Sequence, residues 1–331
     1  MKPSPNRRRF IGIVAAGSAA ALLPLALRPA QAGRLPDVTS WRGIALGADA
    51  QLQIHHPDRA WAEQLVLRAV TEVRRLEQVF SLYRNDSALV RLNRAGRLDA
   101  APGDLLRLLQ ESRQLSALTQ GAFDPSVQVL WDLYADAARR GQALPRAEQV
   151  AEALKQVDWR AIEVTGRSVR LARPGMALTL NGIAQGYITD RVTELLRDAG
   201  LEHALVDMGE VRGLALDAGL APWRVGLADD SEARRPLKTL QIRNQAVSTS
   251  SGRGTLLDTT GAVTHIFDPR SGRADARYRS VSVQAANATT ADALSTALYV
   301  MDSTGMRRVL AASGASAWLL RNGSRRFEAV A

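Results

Sequence analysis

The chain has 331 residues, 46% of them hydrophobic, enough to bury a substantial core, so extended disorder is excluded for most of its length. It has no cysteine, which excludes a disulfide scaffold, thiolate metal sites and a cysteine nucleophile. The formal net charge is +10, but Lys2, Arg7, Arg8, Arg9 and Arg28 supply about half of it from the first 32 residues, which hold no acid. The remaining excess is scattered arginine, so no nucleic-acid surface is expected, though a small polyanionic ligand fits.

Those first residues have the form of an export signal. Arg7-Arg8-Arg9-Phe10 precedes an apolar run from Ile11 to Leu27, broken by Gly12, Gly17 and Pro24, and the run closes on Ala30-Gln31-Ala32. The arginines and the small-x-small ending predict a twin-arginine (Tat) signal peptide over 1–32 and a periplasmic protein of 33–331. The run is short for a membrane span, the competing reading.

Along the mature chain, Ala50–His55 alternates as a strand. Trp61, Leu65, Ala69, Val73, Leu76 and Phe80 then recur at helical spacing over 59–80. Ser87 or Asp86 caps a short apolar run through Leu89 to Leu92. Helices are expected over 104–119 and 146–157, separated by the turn Gly121-Ala122-Phe123-Asp124-Pro125 and by a flexible stretch, 139–145. The alternation around Gly166 predicts a hairpin over 161–171. Leu178-Thr179-Leu180-Asn181-Gly182 reads as a strand running into a tight turn, followed by a helix over 183–199. Strands are expected at 205–209, 223–227, 237–242 and 281–285, with helices at 291–301 and 306–312. A final hairpin turns on Asn322-Gly323. Helices interspersed with antiparallel hairpins make this an α+β chain of one domain, with mixed or antiparallel sheets and packed helices.

The chemistry-bearing residues cluster late in the sequence. Asp292 and Thr296 are four apart, so a helix places both oxygens on one face. The commonest fate of such a pair is a helix-terminal carboxylate and a threonine bonded back to its own helix; as an oxygen pair it suits a hard cation such as Mg²⁺. Asn181-Gly182-Ile183-Ala184-Gln185-Gly186 is a glycine-bearing junction into a helix, able to offer amides to an anion or a carbonyl to a cation. His265 has Asp268 and Arg270 close behind it, in reach of a proton-transfer role. Val247–Gly252 is a hydroxyl-rich loop, and Tyr83 and Phe123 are candidate stacking rings. Neither a Walker motif nor Gly-x-Gly-x-x-Gly is present, which disfavours P-loop and Rossmann sites.

Taken in order, these segments resemble the FAD:protein FMN transferase (ApbE-like) family. The resemblance rests on Phe80-Ser81-x-Tyr83 with Ser87 and Asn93, Gly121–Pro125, Asn181–Tyr187 with Asp190-Arg191-Val192, Val206–Glu210, Ser248–Ser250, His265–Gly272, and Ala291–Leu294 with Thr296–Leu298. It covers nearly the whole chain from about residue 41. It implies a T-fold-related α+β domain and Mg²⁺-dependent transfer of FMN from FAD, the substrate, to a Thr or Ser hydroxyl of a partner flavoprotein, with AMP released. By matching positions it implies Gly182 (through its carbonyl), Asp292 and Thr296 as metal ligands. It implies Leu46, Tyr83, Ala122, Phe123, Asp124, Thr179, Gln185 and Ile266 as FAD contacts. His265 is expected to activate the acceptor hydroxyl, with Asp268 orienting the structure beside it. Thr179 and Gln185 stand where the family usually has Asp and Lys, and Ala45–Ala48 replaces its Met-Gly-Thr. These departures resemble the NosX-type branch of nitrous oxide respiration, whose acceptor is a membrane-anchored, NosR-like flavoprotein. The competing readings are a non-catalytic periplasmic FAD/FMN carrier or assembly factor and a pyrophosphatase that releases FMN to water. Thr260–Thr264 faintly resembles a flavin-acceptor sequence and reads as an ordinary loop.

Overall fold

A computed structural model describes residues 38–142, 144–216, 219, 221–228, 236–252 and 263–330, together with a two-residue strand, β1 (Val14–Ala15). The rest of the expected export signal and most of the Thr260–Thr264 loop lie outside the described residues.

The chain enters as a hairpin, β2 (Val38–Ala45) and β3 (Ala48–His55), closed by Leu46 and Gly47 at φ 47° and 83°. Paired positive φ angles give a two-residue turn the twist the strands need. The helix α1 (Arg59–Phe80) follows, capped by Asp58 accepting from Trp61 N, with its apolar stripe inside from Leu65 to Phe80 and Trp61 partly buried at its start. α2 (Ala88–Ala95) is capped by Ser87 at Val90 N and stopped by Gly96 at φ 67°. β4 (Arg97–Leu98), α3 (Gly103–Leu118), α4 (Gln128–Arg139) and α5 (Ala147–Leu154) come next. A hairpin, β5 (Ile162–Thr165) and β6 (Ser168–Leu171), joins β4 in a small sheet. The remaining elements are α6 (Ala184–Asp198), β7 (His203–Asp207), β8 (Val211–Ala215), β9 (Trp223–Leu227), β10 (Lys238–Ile242), β11 (Ala246–Ser251), β12 (Ser280–Ala285), α7 (Ala288–Val300), α8 (Ser303–Ser313), β13 (Ser316–Leu320) and β14 (Phe327–Ala329).

The frame is an eight-stranded antiparallel sheet in the order β14-β13-β12-β11-β8-β7-β3-β2. Its strands sort side chains by parity, as the period of two requires. In β7, Ala204 and Val206 join the main core beneath α1, α6 and α7, while Leu205 turns to a second core under β9 and β10. The sheet is thus covered by helices on one face and by the β9–β10 hairpin, with β1 on its edge, on the other. A third, smaller core pins α4 and α5 to the segment around Phe267. Among the described residues no helix is long and apolar enough to cross a membrane.

Most expected elements occur within a few residues of their sequence-derived limits, and the α+β class holds. Residues 178–180 are a correction, because they are not a strand, although the turn expected at Asn181-Gly182 is present. Leu178 gets its pairing from a side chain, donating to Asn93 Oδ1 and accepting from Asn93 Nδ2, both at 2.8 Å, and Thr179 N donates to Pro125 O at 2.8 Å. The Val247–Gly252 loop is a second correction, since most of it is β11, a central strand whose hydroxyls bond across the sheet and to α7. β2, β8 and α4 had no assignment from sequence.

Candidate active site

Two structural needs bring α6 and α7 together. Gly186 is the close approach: a Cβ there would stand 2.2 Å from Ala288 O and 2.9 Å from Asp292 Cβ. Asp190, one turn further along α6, is the clamp. Its carboxylate accepts from Ala288 N and Thr289 N at 2.8 Å, from Thr289 Oγ1 at 2.6 Å and from Arg212 Nη1 at 2.5 Å. It thereby holds the first turn of α7 against α6 and β8. The register this fixes points Asp292 at the start of α6, where Gly186 N donates to Asp292 Oδ2 at 3.0 Å. The helix α6 has no side-chain cap of its own, so Asp292 supplies an anion to its N-terminus from across the interface.

A cleft opens beside this junction. It has a polar end and an apolar end. Asp292, Thr296, Gly182, Gln185, Glu210 and Ser250 form the polar end; Phe123, Val127, Trp131, Ile266, Phe267 and Pro269 form the apolar one. Of the residues expected from sequence, Ala122, Phe123, Asp124, Thr179, Gly182, Gln185, His265, Ile266, Asp292 and Thr296 all line this cleft.

Leu46, Tyr83 and Asp268 do not. Leu46 sits in the β2–β3 turn, its N–H donating to Glu77 Oε1 on α1 at 2.8 Å. Tyr83 is 65% exposed in the loop after α1. The Asp268 carboxylate is engaged by Arg270, through its backbone N at 3.0 Å and its guanidinium at 2.8 and 2.9 Å, and so shapes the tight turn that ends at Gly272. Asp124 lines the cleft, yet its side chain bonds inward. Oδ1 accepts from Ser126 N and Oγ, and Oδ2 from Trp159 N, so it organises the loop that presents Ala122 and Phe123.

The polar end carries an unsettled electrostatic load. Burial pushes the Asp292 carboxyl up to about 7, against the pull of the Gly186 N–H, with Asp190 raising it further. Burial, then Asp292 and Asp207, raise Glu210 well above the usual carboxylate range, against Ser248 and the Thr249 backbone. Glu210 Oε2 and Gln185 Nε2 are both buried without a hydrogen-bond partner. Buried groups in this state call for a ligand. Among the described residues no three His, Cys, Asp or Glu side chains converge to hold a metal by themselves. A cation here needs hydroxyl and carbonyl donors as well. Thr296 Oγ1 is placed for that: a Cβ on Gly182 would lie 2.9 Å from it, so the bare turn backbone packs directly on the hydroxyl. The oxygen-only set of Asp292, Thr296 and the Gly182 carbonyl fits a hard cation that keeps substrate and water oxygens in its shell. Ser250 and Ser295 hold that stretch of α7 in place: Ser250 Oγ lies 2.7 Å from Ser295 Oγ and 3.4 Å from Thr296 Oγ1.

Sequence reasoning passed over Glu210, Trp131 and Gln128 as site residues. Trp131 and Gln128 had a signal: Val127, Leu130, Trp131 and Tyr134 recur at helical spacing just after the Asp124-Pro125 turn.

The profile of the ApbE family matches residues 46–319. The FAD:protein FMN transferase of Treponema pallidum is 32% identical over 287 residues, covering 78% of this chain and 77% of that protein. The enzyme of the same name from Vibrio cholerae is 30% identical over 242 residues, 70% of this chain and 72% of that one. Among solved structures, the ApbE protein of Thermotoga maritima superposes with a TM-score of 0.78 at 26% identity, over 88% of this chain and 97% of that one. The apo flavinyl transferase ApbE of Pseudomonas stutzeri gives 0.76 at 24% identity, over 90% and 96%, a likeness of fold.

Proposed function

Because the chain belongs to the ApbE family and is an FAD:protein FMN transferase like its relatives, we propose that the polar end of the cleft binds the pyrophosphate of FAD with Mg²⁺ and that His265 serves the acceptor. The observation that carries this reading is that Asp292, Thr296, the Gly182 turn and His265 all line one cleft. Asp292, Thr296 and the Gly182 carbonyl would hold the cation, which when bound supplies charge neutralisation at the phosphates. In the transfer, the acceptor hydroxyl oxygen forms a bond to the FMN phosphorus, the bond from that phosphorus to the bridging oxygen breaks, and AMP departs with the electron pair. The hydroxyl proton passes to His265. The fold aligns the reacting atoms and excludes water, which is most of what phosphoryl chemistry asks of a protein.

The partner and compartment belong to the same proposal. Residues 1–32 act as a Tat-type signal, supported by Arg7-Arg8-Arg9, the apolar run and Ala30-Gln31-Ala32, and the mature protein works in the periplasm. Thr179 and Gln185 support a NosX-type enzyme that matures a membrane-anchored, NosR-like acceptor for nitrous oxide reduction. The carrier reading keeps one observation in its favour: Gln185 brings an uncharged amide, not a cation, to the polar end of the cleft.

The test incubates the mature protein with FAD, Mg²⁺ and a fragment of a candidate acceptor, and looks for covalent FMN by mass spectrometry, with Asp292→Ala as control. Metal-dependent attachment lost in the variant supports the transferase. Tight FAD binding without transfer, to a fragment that a T. pallidum-type enzyme modifies, favours the carrier. FMN and AMP appearing without attachment favours the pyrophosphatase.

A further inference from the structure

The apolar end of the cleft has no part in the chemistry above, and it is built as firmly as the polar end. α4 forms this wall. Leu130 is fully buried in the small core, Tyr134 packs edge-on against Phe267 with ring centroids 4.9 Å apart, and Tyr134 OH donates to Gly272 O at 3.1 Å. Gly272, at φ 69°, fits tightly under α5: a Cβ there would lie 2.5 Å from Val150 Cγ1. The α4–α5 pair therefore clasps the turn that follows His265, and in doing so fixes one face of α4 towards the cleft. Val127, Gln128 and Trp131 lie on that face, three and four residues apart.

The rings around the cleft differ in what they have left to offer. Phe123 and Phe267 are 4% and 5% exposed, so packing occupies them. Tyr83, expected with Phe123 as a candidate stacking ring, is outside the lining. Trp131 packs against the small core yet stays only partly buried, lines the cleft, and makes no ring-stacking or edge contact with another aromatic side chain among the described residues. Gln128 beside it donates Nε2 to Asp132 Oδ1 at 2.7 Å, which ties up the amide next to the indole.

A dinucleotide has a charged centre and two flat aromatic ends. With its pyrophosphate at Asp292, Thr296 and Gly182, a ring system has the apolar wall of the same cleft to lie against. Resting on the transferase reading, we propose that Trp131 is the stacking platform for one ring system of FAD, and so a specificity-determining residue of the substrate site. A rigid indole loses little freedom on stacking, and such a contact contributes about 1–3 kcal/mol, a factor of roughly 5 to 150 in affinity.

The experiment measures equilibrium binding of FAD, FMN and ADP by calorimetry, with flavin and tryptophan fluorescence, for the wild type and for Trp131→Ala, Trp131→Leu and Trp131→Phe. FMN carries only the flavin ring and ADP only the adenine, so the pair identifies which ring stacks. The expected result is FAD affinity lowered about tenfold or more in the Ala variant, equally low in the Leu variant, which keeps apolar bulk, and largely restored in the Phe variant. One half-ligand shows the same pattern and the other none. FAD affinity within twofold of wild type in both the Ala and the Leu variants overturns the proposal while leaving the transferase intact. Equal losses for FMN and ADP overturn it as well, since they report collapse of the wall. A wild-type protein that binds no FAD removes the transferase reading and this proposal together.

Discussion

Gly186→Ala is the substitution on which the close contact of α6 and α7 can be judged. Gly186 lies in the first turn of α6, and a helical glycine replaced by alanine gains about 1 kcal/mol from propensity alone. The structure predicts the opposite sign. The new methyl would lie 2.2 Å from the Ala288 carbonyl oxygen, which is backbone and cannot rotate away, and 2.9 Å from Asp292 Cβ. The two helices must part by about 1 Å. Overpacking of this kind costs about 1–3 kcal/mol, and stretching the Gly186 N–Asp292 bond adds about 1–2 kcal/mol because its acceptor is a carboxylate. Set against the propensity gain, the net loss is about 1–4 kcal/mol, read as a fall in the urea midpoint at unchanged slope. Manganese affinity, followed by electron paramagnetic resonance, should fall with it because Asp292 moves. Gly182→Ala is the internal comparison. Its methyl meets the Thr296 side chain at 2.9 Å, and a side chain can turn, so stability should change by less than about 1 kcal/mol while cation affinity still drops. A Gly186→Ala protein as stable as the wild type would refute the close-contact reasoning.

Other perturbations address the clamp, the buried acids and the base. Asp190→Ala removes the acceptor for Arg212, Ala288 N, Thr289 N and Thr289 Oγ1, and leaves Arg212, itself 16% exposed, without its partner. The expected loss is about 3–5 kcal/mol, and a denaturation curve showing under 1 kcal/mol would count against the clamp. Burial holds Asp207 up to about 6 and Asp292 up to about 7. Between the ordinary carboxylate value near 4 and these values, the folded protein holds protons that the unfolded chain has released. The cation-free protein should therefore lose stability as pH rises from about 4 to about 7, by a few kcal/mol in all. Saturating Mg²⁺, which binds the deprotonated fold, should flatten that profile, as should Asp292→Asn in part; a flat profile without the cation would contradict the burial argument. His265→Ala should slow FMN transfer by about a hundredfold or more with FAD affinity nearly unchanged, and transfer at a near-normal rate would remove His265 from the proton path.

What the sequence disclosed and what it hid follow from where each segment's hydrogen bonds and apolar faces go. α1 was legible end to end because its stripe is one-sided and Asp58 marks its start. β7, β9 and β12 were legible because the chain alternates or runs apolar through both cores. β11 was not, because Ser248 and Ser250 point their hydroxyls at Ser295 on α7, and Thr249 bonds to Ser282, so a buried strand carries the composition of a solvent loop. β8 was hidden by Gly213, which leaves room for Trp223: a Cβ there would lie 2.9 Å from the indole Cδ1. Residues 178–180 misled in the other direction, since an apolar run borrows its pairing from the Asn93 amide where a neighbouring strand would supply it. The polar end of the cleft was readable because Gly182, Asp292 and Thr296 stand in segments whose order resembles the family's, whereas their spacing alone is as well met by a helix-terminal carboxylate and an ordinary turn. Its apolar end was not, because the value of Trp131 depends on α4 being clasped by Gly272 and α5, a contact between segments far apart in sequence. Sequence pattern therefore discloses groups that act through their own chemistry, and conceals those that act through where distant packing puts them.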